Sequence, residues 1–363
     1  MQQASLAIEA LARVARAPWF VPLMSQAVRV GPVRRRLVGR VEGELARALE
    51  DCRARGVTTR VDEERAQVGV ALLRTLDRAL EREQLGSGAI HGLFQALLRG
   101  LAEDAAREPA SRKRFRERFG VDAPGFLAIA PGKNCNLRCA GCYAASGPRL
   151  EERMGFALLD RVVGEAEALW GDRFFVLTGG EPFLYRDQGR GILDLAGAHP
   201  ASYFLVYTNG TLITPAVADR IASLGNLTVA LSVEGLEEST DRRRGAGVFQ
   251  RVVAAMGHLR QVGVAFGLSV TPTAENYREL LSGRFLDFVR DQGALYVWVF
   301  QYMPVGRAPS LDRKHDYRFQ TEPRGHEQAS PWRAGGLVAG PRGATAGLRP
   351  GTERSSRRRS ASS

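Results

Sequence analysis

Cysteine is scarce in this chain, four in 363 residues, too few to staple a fold of this length with a disulfide framework. Long apolar runs are missing too. No stretch approaches the roughly 18–20 uninterrupted apolar residues that a membrane-spanning helix needs. No charged n-region, apolar h-region and small-residue cleavage site opens the sequence. These absences argue against a disulfide-built secreted domain and against a membrane span, and the expected location is the cytoplasm.

What is present is apolar content of 44%, ample for one large domain and a smaller one. The formal net charge is +12, which raises nucleic acid or an anionic surface as a partner until its distribution is read. Acidic residues thin out after Asp312, while basic ones continue from Arg313 and Lys314 to the run Arg357, Arg358 and Arg359. The excess is largely a property of the tail, so a nucleic-acid partner is not the expectation for the folded part. The most lipophilic N-terminal stretch, "APWFVPLMSQAVRV", reads as a packing face more readily than as a membrane-surface segment.

Three regions separate by pattern. Residues 1–119 are rich in Ala, Leu, Arg and Glu, and apolar residues return every three or four positions in "RRRLVGRVEGELARALEDCRARG" and "RAQVGVALLRTLDRALEREQ", which predicts a helical N-terminal module. "SRKRFRERF" reads as an exposed helix within it. Residues 120–312 alternate short apolar runs with amphipathic stretches of helical length, the pattern of repeated β-α units on a parallel sheet. The strand candidates are "GFLAIAP", "RFFVLTG", "SYFLVYTN", "LTVALSVEG", "VAFGLSVTP" and "ALYVWVFQYM". Helix candidates between them include "ALLDRVVGEAEALW", "PAVADRIASLG", "VFQRVVAAMGHLRQVG" and "NYRELLSGRFLDFVRDQG". Six repeats suit an α/β fold of the partial (β/α)6, TIM-like barrel kind, whose chemistry gathers at the C-terminal strand ends. Residues 313–363, rich in Arg, Gly, Ser and Pro, lack periodicity and read as a basic, disordered tail. The break near "APSLDRKHDYRF" is as abrupt as a shifted frame or a truncated gene would make it.

Three of the four cysteines fall in one short run, "NCNLRCAGCYAAS", as Cys135, Cys139 and Cys142. Thiolates at this spacing are soft ligands suited to zinc or to an iron-sulfur cluster. Structural zinc wants four protein ligands, and the nearest downstream histidine, His199, is distant in sequence. Three ligands without a fourth suggest a cluster with one open iron. Cys52, in the helical module, reads as a small buried hydrophobe.

With Tyr143 directly after the last cysteine, this C-x3-C-x2-C loop following the first strand resembles the radical S-adenosylmethionine (radical SAM) superfamily. The resemblance spans about residues 124–309. It implies that Cys135, Cys139 and Cys142 hold a 4Fe-4S cluster whose fourth iron binds SAM, and that reductive cleavage gives a 5′-deoxyadenosyl radical for hydrogen abstraction. An electron donor such as flavodoxin or ferredoxin is then implied, with a substrate that the sequence leaves unidentified.

Further positions follow from the same resemblance. "LTGGEPFLY" places Gly179, Gly180 and Glu181 where the family contacts the methionine end of SAM. Glycine admits close backbone approach there, and a carboxylate can accept from an ammonium group. "YTNGT" offers Thr208 and Asn209, and "SVEG" offers Ser232 and Glu234, all as SAM-binding candidates that are also ordinary strand-end turn residues. One of Arg242, Arg243 and Arg244 could pair with a carboxylate, Arg243 being the named candidate. Ser269 is placed against SAM, with Thr271 or Asn276 beside it. "FQYMPVGRA" puts Gln301, Tyr302 and Arg307 on the substrate side of the mouth. It resembles a subgroup that continues into a cysteine-bearing extension of the SPASM type. No cysteine follows Cys142 here, so an auxiliary cluster is not expected. Two other readings stay open: a structural metal loop with a nucleic-acid-binding tail, and a truncated, inactive relative.

Overall fold

Every one of the six apolar runs forms a strand: β1 (Leu127–Ile129), β2 (Phe174–Leu177), β3 (Tyr203–Thr208), β4 (Leu227–Ser232), β5 (Phe266–Val270) and β6 (Val297–Val299). The computed structural model describes residues 20–54, 59–93, 110–171, 173–310 and 338–339. A seventh short strand, β7 (Val338–Ala339), pairs with β6 in parallel through Val297–Val338 and Trp298–Ala339. The sheet runs β1 to β7 in sequence order. Parallel crossovers are right-handed, so a strand order that never reverses puts each connecting helix on the same face. A sheet wound in one sense only is a partial (β/α) barrel, as the repeats imply.

Alternation along the strands decides which side chains meet the helices. Phe175, Leu177, Phe204, Val206, Val229, Leu231, Phe266 and Leu268 belong to the main core together with helical residues such as Leu159, Val163, Ile221, Val252 and Met256. Each such side chain, fully buried, contributes roughly 1.5–3 kcal/mol. The alternate positions Val176, Leu205 and Ala230 form a separate small cluster with Tyr207, Tyr296 and Trp298 on the inner face. Period-two patterning thus splits one sheet into a helix-covered outside and a lumen.

The helices of the barrel end where glycine and capping residues end them. Helix Phe156–Trp170 stops at Gly171, in the left-handed region at φ 69°, and Pro215–Leu224 is capped by Thr214 at its start and by Gly225 (φ 71°) at its end, both conformations that glycine adopts without strain. The stretch 276–293, expected as one helix, is two: Tyr277–Leu280 and Gly283–Asp291. Ser282 breaks it, because its hydroxyl accepts from the Phe285 N–H and starts a new helix.

The N-terminal region is helical where it is described, in Phe20–Ala27, Gly31–Ala54, Arg60–Glu81 and Ala110–Phe119. Residues 87–93 are helical as well. Val28, from the lipophilic N-terminal stretch, packs with Ala79, Leu85, Ile90 and the barrel residue Ala265. "SRKRFRERF" is a mostly exposed helix, with Phe115 edge-on to Trp170 at 5.9 Å. The side chain of Cys52 and all of 313–363 except Val338–Ala339 lie outside the described residues. Among the described residues no helix is long and apolar enough to cross a membrane.

The segment 85–92 seats this module on the floor of the barrel, at the N-terminal ends of the strands. Gly86 N–H donates to Gly263 O at 2.8 Å. A Cβ on Gly88 would lie 2.5 Å from Ala222 O, and one on Gly92 only 1.8 Å from Gly225 O. Backbone lies on backbone, and glycine is required by the approach.

Candidate active site

The cysteine loop leaves β1 and runs across the C-terminal ends of the strands, tied first to the segment after β2. Thr178 N–H donates to Ile129 O (2.9 Å), Gly180 N–H to Gly132 O (2.9 Å) and Glu181 N–H to Asn134 O (2.8 Å). The pairing of β1 with β2 therefore continues as loop on loop. A Cβ on Gly180 would lie 2.2 Å from Asn134 O, and Gly179, at φ 114°, would set one 2.5 Å from Gly132 O. The two glycines of "GGEP" are demanded by the cysteine loop's own backbone.

Glu181 is 2% exposed and fully engaged with protein. Its Oε1 accepts from Phe183 N–H (3.0 Å) and the Thr208 hydroxyl (2.7 Å), and its Oε2 accepts from Asn209 N–H (2.8 Å). Burial raises its pKa, opposed by these three hydrogen bonds. It caps the short 3-10 turn Pro182–Leu184 and latches the end of β3. Thr208 is spent on the same latch. Asn209 reaches the other way: its Nδ2 donates to Asn136 Oδ1 at 2.8 Å and lies 3.8 Å from Cys135 Sγ. Asn136 donates in turn to Thr211 Oγ1 (2.8 Å), which donates back to Asn209 Oδ1 (2.7 Å). This closed ring holds the loop between Cys135 and Cys139 against β3.

Ser232 and Ser269 face each other across β4 and β5 in register, hydroxyls 3.0 Å apart. Beyond β4, Glu234 is 1% exposed, and both its oxygens take arginines: Oε2 takes Arg243 and Oε1 takes Arg244, the latter through Nε at 2.9 Å. Arg242 points outward to Glu238. All three arginines lie on the helix Glu237–Arg244, whose acidic first turn and basic last turn suit the helix dipole although it has no apolar face. Arg243 also holds the cysteine loop twice, accepting at its own carbonyl from Ala140 N–H (2.8 Å) and donating from Nε to Ala140 O (3.1 Å). Asn276 is 5% exposed and donates to Glu234 O (2.7 Å). Tyr143 is largely exposed, its hydroxyl 3.3 Å from Thr178 Oγ1.

The three thiols are free of disulfides. Burial pushes Cys135 up to about 11, against the Leu137 N–H that its sulfur accepts at 3.4 Å. Burial also raises Cys139, while Arg244 opposes it. Among the described residues no group of three His, Cys, Asp or Glu side chains is arranged around a single ion. His199 lies elsewhere, between Asp160 (3.0 Å) and Glu167 (3.2 Å). Three soft thiol donors on one loop are the donor chemistry that an iron-sulfur cluster takes.

The site residues expected from the sequence thus collect at one end of the barrel, but several serve each other. The Glu181–Thr208–Asn209 latch and the Glu234 pair with Arg243 and Arg244 are internal. Asn136 and Thr211 belong to the assembly without any sequence signal that singles them out, whereas Arg244, one of the three candidate arginines, shares Glu234 with Arg243. Gln301 is exposed, Tyr302 is buried, and Arg307 turns onto the cysteine loop.

Residues 129–282 match the Radical SAM superfamily. Among similar proteins are an AdoMet-dependent heme synthase of Methanosarcina barkeri, 26% identical over 58% of this chain and 58% of its own length, and the mycofactocin maturase MftC of Mycobacterium tuberculosis, 34% identical over 46% and 43%. The chain spans about half the length of these relatives. A solved structure of Streptococcus suis SuiB bound to S-adenosylmethionine is 18% identical over 61% of this chain and 50% of that one, with a TM-score of 0.47. Residues 129–282 thus carry a domain similar to the radical SAM superfamily, a superfamily of enzymes.

Proposed function

We propose that the chain binds a 4Fe-4S cluster through Cys135, Cys139 and Cys142 and cleaves S-adenosylmethionine reductively, producing a hydrogen-abstracting radical. The observation that carries this reading is the donor set: three thiols, no disulfide, on one loop clamped at the C-terminal mouth of a radical SAM domain. When bound, the cluster supplies the electron that splits SAM, and a donor such as flavodoxin or ferredoxin replaces it.

The chain's own residues do the positioning. The Glu181 latch and the Asn136–Asn209–Thr211 ring fix the first turn of the loop. Arg243 fixes its middle. Ser232 and Ser269, on the inner face beside the mouth, offer hydroxyls to a sugar, and Gly179 with Gly180, pressed onto the cysteine loop, holds the segment assigned to the methionine end. Glu234 and Asn209 are within the same rim. Tyr143, exposed after the last thiolate, suits a stacking contact with an adenine face. The free thiols suit a reducing compartment, which agrees with a cytoplasmic location.

Anaerobic reconstitution with iron and sulfide tests the reading. The expected product shows a thiolate-to-iron charge-transfer band and close to four irons per chain, a stoichiometry set by the proposed cluster type. Each of Cys135→Ala, Cys139→Ala and Cys142→Ala should lose it. Zinc retained in place of iron by the wild type would overturn the proposal.

A further inference from the structure

We propose that Arg307 is the positioning residue of the cysteine loop, a strap that makes the order of the cluster site depend on the segment following β6. The inference rests on the reading of that loop as a cluster site. Its basis is a set of three contacts from one residue. The Arg307 N–H donates to Cys142 O at 2.9 Å. Its Nη1 donates to Cys139 O at 3.0 Å, and its Nη2 donates to Ser146 O. Two of the three cysteines therefore have their carbonyls held by a residue more than 160 positions downstream.

The neighbouring glycine makes the strap possible. Gly306 has φ 82°, and a Cβ there would lie 2.3 Å from Cys142 O and 2.4 Å from Tyr143 O. Only a residue without a side chain lets the chain lie on the loop this closely. Met303 and Val305 are 56% and 49% exposed, and inward contacts come from Tyr302, which is 3% exposed, and from Arg307. Arg243 grips Ala140 on the other flank, so the loop is clamped between residues from two distant parts of the chain.

The planar guanidinium suits this role because its fork can donate to two carbonyls at once, which an ammonium group cannot do in one fixed geometry. With the carbonyls of Cys139, Ala140 and Cys142 turned toward Arg243 and Arg307, these backbone acceptors of the loop are all occupied. The strap also sets a positive charge beside the loop, and that charge favours the more negative, reduced state of a bound cluster.

The test compares full-length wild type with Arg307→Ala and Arg307→Lys, using exposed Arg290→Ala as a control. In the metal-free protein, hydrogen exchange at the Cys135, Ala140 and Ala145 amides should speed up about tenfold or more in Arg307→Ala. Amides of β3 and β4 should not change. After reconstitution, iron per chain should fall by about half or more, an estimate that assumes a loosened loop loses much of its affinity. The reduction potential should move to more negative values in Arg307→Ala and stay near wild type in Arg307→Lys, which keeps the charge but still exchanges faster. Wild-type exchange in the loop of Arg307→Ala overturns the strap. If that variant fails to fold, Arg307→Lys decides the matter by the same exchange measurement. A wild-type protein that takes up no cluster would defeat the cluster reading alone, since the metal-free exchange comparison still tests the strap.

Discussion

The two ends of this barrel use glycine in the same way and charge to different degrees. At the floor, Gly86, Gly88 and Gly92 press onto Gly225 and Gly263, and the surroundings are Val28, Leu85, Ile90 and Ala265. At the mouth, Gly179, Gly180 and Gly306 press onto the cysteine loop, and the surroundings are Glu181, Glu234, Arg243, Arg244 and Arg307. Close backbone contact fixes both ends. The mouth buries two carboxylates, Glu181 and Glu234, whereas the described part of the N-terminal module buries one charged side chain, Arg34, paired with Asp77; buried charge is costly to desolvate unless it is paired. The floor therefore reads as an attachment and the mouth as a working site.

Breaking the buried ion pairs should separate the two ends most sharply. Glu234→Ala leaves Arg243 and Arg244, with side chains 19% and 14% exposed, without their shared carboxylate. A loss of about 3–5 kcal/mol in unfolding free energy is expected from the general cost of orphaning a buried charge. Chemical denaturation measures it, and a loss below about 1 kcal/mol would mean that the pairs act as surface pairs do.

Gly180→Ala and Gly92→Ala are a matched test of the comparison. Each puts a methyl group into a backbone oxygen, 2.2 Å and 1.8 Å away respectively, with an overpacking cost of roughly 1–3 kcal/mol. Gly92→Ala should lower the melting temperature and loosen the N-terminal helices while leaving iron uptake intact. Gly180→Ala should lower iron uptake. Equal effects on iron uptake would erase the distinction between floor and mouth.

The smallest effect concerns pH. Burial raises the pKa of Glu181 in the folded protein, so the stability tied to its protonated form is full below the ordinary carboxylate pKa. It is lost as pH rises through the raised folded value. Glu181→Gln should flatten that part of the stability-pH curve, read by denaturation across the acidic to neutral range, at the cost of the bond from Asn209 N–H.

Much of this was legible in the sequence, for reasons that differ by element. Strands such as "SYFLVYTN" and "LTVALSVEG" are covered by helices on one side and line a lumen on the other, so they appear as nearly continuous apolar runs. The cysteine loop carries its chemistry in its composition. The helix Glu237–Arg244 is not among the helix candidates because it has no apolar stripe, and its charge order, acidic first and basic last, is the signal that reveals it. Which arginine turns inward depends on Glu234 and Ala140, far away in the chain or on another loop, and no local pattern encodes it. Arg307 was placed at the substrate side, whereas it sits on the cysteine loop, because the strap is a tertiary contact announced only by the glycine before it. The docking role of Gly86, Gly88 and Gly92 was hidden for the same reason: close approach depends on what lies opposite.

The central claim is that the mouth cleaves S-adenosylmethionine. Its most direct test is to incubate the reconstituted wild type anaerobically with SAM and dithionite and quantify 5′-deoxyadenosine, with Cys139→Ala alongside. The account predicts 5′-deoxyadenosine from the wild type and none above background from the variant. A wild type that carries the cluster but forms no 5′-deoxyadenosine would contradict it.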